Sequence, residues 1–158
     1  DLEPTAPIPG IAYGIGHGGA EMLILFGLTM ISNLVVSFLI NSGMSGILFT
    51  NVPEESVAQL QAQLDTLQTL TADSMLLGLW ERFSALLLDL GFSILVWAAV
   101  RKGGKWLWLF PAAILLHALV DAGAVLLSKS AGTLSLELIV TAQAIAVAAI
   151  AYMVAKKL

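Results

Sequence analysis

Over most of this chain apolar and polar positions do not alternate; apolar residues run on without interruption. Such runs extend from about Ile11 to Ile40, Met75 to Val100, Trp106 to Leu127 and Leu134 to Val154. About 20 apolar residues are enough for a helix to span a bilayer. Asn41-Ser42-Gly43 closes the first run, Arg101-Lys102-Gly103-Gly104-Lys105 the second, and Lys156-Lys157 the fourth. The first run is longer than one span needs. Its early part is rich in glycine (Gly10, Gly14, Gly16, Gly18, Gly19), so its helix is expected to begin near His17 or to break there.

Residues 51–74 have a different rhythm. Val57, Leu60, Leu64, Leu67 and Leu70 recur at helical spacing among Gln59, Gln61, Gln63, Asp65 and Gln68. Pro53-Glu54-Glu55 supplies a proline and two acids to a first turn, a good helix start. The pattern predicts an amphipathic helix outside the hydrocarbon, with those five apolar residues on its buried side. The fold class expected from these elements is all-α: a polytopic transmembrane bundle of about four spans plus one extramembrane helix, in a single domain over residues 1–158. Residue 1 is Asp rather than Met, so helices upstream are expected to be absent from this sequence.

Composition agrees with the pattern. Of 158 residues, 58% are apolar and only 11% charged, against about 25% charged in an average soluble domain. Too few polar side chains remain to cover a soluble globule, and disorder is excluded by the same numbers. The absence of cysteine removes disulfide and thiolate chemistry. A net charge of -4 argues against nucleic acid as a partner. Arg101, Lys102, Lys105, Lys156 and Lys157 fall on one side of the predicted topology and Lys129 on the other. By the positive-inside rule the 101–105 loop and the C-terminus are expected to be cytoplasmic, and the 51–74 helix outside.

Ionisable residues within the spans change the picture. His17, Glu21, Glu81, Arg82, Asp89, His117 and Asp121 all lie in the apolar runs. For acids and Arg, mid-bilayer burial costs roughly 2.5 to 3.5 kcal/mol each unless paired or hydrated. They are therefore expected to face the bundle interior. At about 1.5 Å per residue, Glu21, Asp89 and His117 sit roughly 18, 18 and 16 Å from the cytoplasmic face, nearly one level on three helices. His17 and Glu21 are four apart, as are His117 and Asp121, so each pair shares a helix face. Glu81 and Asp89 share a face two turns apart, whereas Arg82 is expected to point elsewhere. Two imidazoles with several carboxylates suit a divalent metal, zinc above all.

Plainer readings compete at the same residues. Each His–carboxylate pair could be a hydrogen-bonded staple between helices, and Arg82 with Glu81 or Asp89 a structural ion pair. Gly10, Gly14 and Gly18 repeat a small-residue pattern typical of helix packing. Trp80, Trp97, Trp106 and Trp108 suit interfacial or packing roles. Glu137 reads as a helix-end residue and Gln143 as a packing polar group.

The segment Gly14-Ile15-Gly16-His17-Gly18-Gly19-Ala20-Glu21 resembles the G-x-G-H-G-G-x-E signature of the YhfC-type intramembrane metalloproteases. Glu81-Arg82 with Phe92-Ser93 resembles that family's second motif, E-R leading to H-x-x-x-S, and His117 to Asp121 its third, H-x-x-x-D. The resemblance runs from about Tyr13 to Val125. It extends more distantly to CAAX prenyl endopeptidases, PrsW-type proteases and the gamma-secretase scaffold subunit. The second motif has a His where this chain has Asp89, and family members usually carry further helices ahead of the first motif.

The resemblance implies a membrane-embedded, metal-dependent peptidase in a prokaryotic cytoplasmic membrane. It implies His17, Asp89 and His117 as metal ligands and Glu21 and Glu81 as general bases or further ligands. Asp121 then orients His117, with Arg82 in support. Implied substrates are membrane or lipidated peptides and implied surroundings the lipid bilayer, with other membrane subunits as partners. Asp89 in place of His equally fits a pseudo-enzyme, a non-catalytic subunit of a larger membrane complex. Intramembrane acids also fit a third class, a small ion-binding or transport protein.

Overall fold

In the computed structural model, residues 6–158 are described. Helix α1 (Ile8–Met22) continues through a π turn (Leu23–Gly27) into α2 (Leu28–Asn41). A short 3₁₀ turn leads to α3 (Glu54–Gln68), followed by α4 (Ala72–Lys102), α5 (Leu109–Leu127) and α6 (Thr133–Ala155). No strand occurs among the described residues. Four helices are long and apolar enough to cross a membrane: Ile8–Asn41, Ala72–Lys102, Gly104–Leu127 and Thr133–Ala155. They are the four runs of the sequence, each extended by one to three residues at one or both ends.

Helix α4 is the centre of the bundle. It packs against α1, α5 and α6, and most extensively against α6 and α1. Leu88, Phe92 and Leu95 of α4 form the core with Ala113 of α5 and Val140, Ala144 and Ala151 of α6. Small residues let backbones approach where lipid gives no hydrophobic drive to associate. Gly10, Gly14 and Gly18 are buried on α1. A Cβ on Gly14 would fall 2.8 Å from Leu90 Cα, and one on Gly10 2.9 Å from Trp97 Cβ. The α4–α6 contact has the same device in Gly91, where a Cβ would meet Val147 Cγ1 at 2.8 Å.

Ends follow local chemistry. Thr71 and Ser74 form a reciprocal capping box at the start of α4, with Asp73 in its first turn. Arg101 and Lys102 occupy its last turn, and Gly103 and Gly104 turn the chain at φ of 64° and 54°, a region that L side chains rarely enter. Lys102 ties this end to α6 by donating from Nζ to the Lys157 carbonyl at 2.7 Å.

Three expectations are corrected. The glycine-rich stretch does not start or break the first helix, which passes His17 without interruption; the irregularity comes later, at Leu23–Gly27. Packing of Gly10, Gly14 and Gly18 on α4 offsets the low helix propensity of glycine. The amphipathic helix ends at Gln68, and Ala72 already belongs to α4, because the Thr71 cap starts a new helix. On α3 only Leu64 is buried, while Val57 and Leu70 are each 38% exposed. This helix lies loosely on the bundle, so most of its apolar face is not covered by the chain itself.

Candidate metal and catalytic site

Helix α1 places Gly18 against α4 at Asp89: a Cβ there would lie 2.6 Å from Asp89 Oδ2. The bare backbone lets His17 and Glu21, on either side of Gly18, reach the same carboxylate. One ligand atom from each of His17, Glu21 and Asp89 falls within 4.8 Å of the others. Asp89 is only 3% exposed. Its Oδ1 is 3.7 Å from His117 Nε2 on α5, and the same nitrogen is 3.4 Å from Asp121 Oδ2. Asp89 thus joins the two pairs, His17 with Glu21 and His117 with Asp121.

Aromatic rings set both imidazoles. His17 stacks on Tyr13 with centroids 5.9 Å apart, and His117 stacks on Phe92 at 5.3 Å. His117 is about one-third exposed, whereas Asp121 is 66% exposed. Two cavities flank Asp89. One of about 320 Å³ is lined by Glu21, Glu81, Arg82, His117, Asp121 and Glu137 among others. The other, about 280 Å³, lies towards Tyr13, His17, Phe110 and Ser93.

Arg82 does not point away from the acids, as its i+1 position beside Glu81 suggested. Its Nη2 bonds Glu81 Oε1 and its Nη1 lies 3.6 Å from Glu21 Oε1. The flexible stem of an arginine spans more than one helical position, so backbone direction alone does not fix where its guanidinium ends.

Glu137 is also corrected. It is 5% exposed, lines the larger cavity, and its Oε2 is a buried atom without a hydrogen-bond partner. Beside it runs a polar ladder between α4 and α6. Trp80 Nε1 donates to Thr141 Oγ1 at 2.9 Å, Ser84 and Thr141 share a hydroxyl bond of 2.9 Å, and Thr141 caps the Glu137 carbonyl at 2.7 Å. A signal was present in the sequence. Glu137, Thr141, Ala144, Ala148 and Ala151 recur at intervals of four and three, a small or polar stripe on one face of α6.

The donor set fits a divalent metal. Imidazole and carboxylate are the borderline and hard ligands that zinc and its neighbours take. Ligands about 2.1 Å from a tetrahedral ion stand about 3.4 Å apart, so rotations of these side chains within the 4.8 Å group suffice to close on one. A metal would also offset the burial of two acids in hydrocarbon.

Comparison with known proteins agrees with these motifs. The sequence model of one family, described as YhfC intramembrane metalloprotease, matches residues 2–150. Among curated proteins, the chain is similar to the uncharacterized membrane protein YhfC of Bacillus subtilis (strain 168), 40% identical over 121 residues. That alignment takes in 76% of this chain and 45% of the relative, so the chain spans under half of the relative's length. No solved structure matches.

Proposed function

Since the chain belongs to the YhfC intramembrane metalloprotease family, we propose that this integral membrane protein is a metal-dependent peptidase cleaving peptide bonds within or beside the bilayer. The observation that supports this reading is the meeting of His17, Glu21 and Asp89 within 4.8 Å, with His117 next to Asp89. His17, Glu21 and Asp89 hold a divalent metal, zinc by the chemistry of the donors, and His117 is the nearest further ligand. When bound, such an ion polarises a carbonyl and makes bound water a nucleophile near neutral pH.

The chain's own residues supply the rest. Glu81, outside the three-donor group, is the carboxylate left to take a proton from the attacking water and return it to the leaving amine. Arg82 fixes Glu81 and Glu21 relative to each other, as one guanidinium offers several donors in a rigid fork. Asp121 orients His117 through its 3.4 Å contact. The larger cavity, with its polar end at these groups, gives water and a peptide a place away from lipid.

The contact between Asp89 and His117 also fits the alternative, a non-catalytic subunit whose polar residues staple α4 to α5. Metal stoichiometry and thermal stability of wild type, Asp89→His and Asp89→Ala separate the two. A peptidase retains close to one equivalent of transition metal, keeps or gains affinity in Asp89→His, and loses it in Asp89→Ala. A metal-free wild type destabilised by both substitutions sinks the peptidase reading.

A further inference from the structure

The acids of the larger cavity differ in what they face. Glu21 and Glu81 have Arg82, and Asp89 and Asp121 have His117. Glu137 has neither: among the described residues its Oε2 is the buried side-chain oxygen without a partner. Nor is it a stray end residue. The Trp80–Thr141–Ser84 ladder fixes the backbone at Glu137, and Val120, Leu136 and Val140 line the same cavity with apolar surface. A buried charge without a partner is costly, and the cost is relieved when a counter-charge arrives. The terminal torsion of a glutamate is broad, so either oxygen can turn towards the cavity.

We infer that Glu137 is a specificity-determining residue that receives the cationic head of a lysine or arginine side chain of a polypeptide substrate, while the apolar wall takes its methylene stem. This deepens the peptidase reading and rests on it for the word substrate. Lysine and arginine have the matching build, an apolar stem ending in a charge. Their desolvation in a membrane cavity requires a carboxylate not already committed to another cation. Five carboxylates against Arg82 and a histidine leave that cavity anionic, which disfavours an acidic substrate residue there.

The test reads binding rather than turnover, so that failure of hydrolysis and failure of this inference are separate results. The full chain in detergent, stripped of metal by a chelator, is titrated with a short fluorescent Leu/Ala peptide carrying one central Lys, and with the same peptide carrying Met. Anisotropy should give roughly tenfold or tighter binding of the Lys peptide to wild type, as expected for a desolvated charge pair. Glu137→Gln should abolish the preference and Glu137→Asp retain part of it. Free n-butylammonium should displace the Lys peptide and not the Met peptide, a comparison that needs no variant to fold. Equal binding of the two peptides by wild type, a preference that survives Glu137→Gln, or no competition by the ammonium would each overturn the inference.

Discussion

The two histidine–carboxylate pairs have the same spacing and different fates. His117 and Asp121 on α5 close on each other at 3.4 Å, and the acid remains largely exposed. His17 and Glu21 on α1 do not pair with each other. Glu21 is held from α4 by Arg82, and both reach towards Asp89. A spacing of four residues puts two side chains on one face, but the facing helix decides whether they bind each other or something between them. On α1 the partner helix is in backbone contact through Gly18 and delivers a buried carboxylate. Helix α5 approaches α4 less closely, and its pair keeps to itself.

The sharpest break of this contrast is Asp89→Ala, which removes the group common to both pairs. Metal retention, read by elemental analysis after gel filtration, should fall at least a hundredfold, since even indirect supports of a metal ligand are worth about 10- to 100-fold. Glu21→Gln comes next. It should weaken metal binding to a similar or slightly smaller extent and leave the Asp89–His117 contact intact; full retention of metal would place Glu21 outside the ligand set. Gly18→Ala tests the packing that makes the α1 pair different. Its Cβ must displace Asp89 or Leu86, so thermal stability should drop by about 1 to 3 kcal/mol, the usual cost of overpacking, and metal binding should fall with it. An unchanged melting temperature would show that α1 is not seated as described. Asp121→Asn should have a lesser effect, about tenfold or somewhat more in metal affinity, because its oxygen orients His117 from an exposed position. Smallest is Thr141→Val, which removes the hydroxyl bonds from Trp80 and Ser84. About 1 to 2 kcal/mol of stability should be lost with metal content unchanged, since the ladder lies on the α6 side of α4.

Much of the architecture was legible because membrane helices announce themselves by length. The four apolar runs match the four spans to within three residues at each end. Counting residues from the basic loops placed Glu21, Asp89 and His117 at one level, and the structure brings them around one carboxylate. Arg82 was misread because a flat rule about adjacent positions ignores the reach of its side chain. Glu137 was missed for a different reason. Helix α6 is apolar on every side, so the contrast that marks the inner face of a soluble helix is absent, and only its stripe of small residues gives that face away. The sparse contacts of α3 were also invisible, because an amphipathic pattern states which face avoids water without stating what covers it.

The π turn at Leu23–Gly27 has a consequence for how this chain tolerates insertions and deletions. Gly14, Gly18, Met22, Phe26 and Met30 are each four residues apart, and all are at least partly buried. In a regular α-helix every four-residue step overshoots a full rotation by about 40°, so such a row would wind halfway around in four steps. One wide turn absorbs about one residue, roughly 100° of rotation, and keeps the row in phase. It is what lets Phe26 lie 3.5 Å from where a Cβ on Gly78 of α4 would stand. Deleting a single residue between 23 and 27 would restore a regular helix and turn everything beyond it away from α4. The length of this segment is therefore constrained more tightly than its composition: one leucine can stand for another there, but five residues cannot become four.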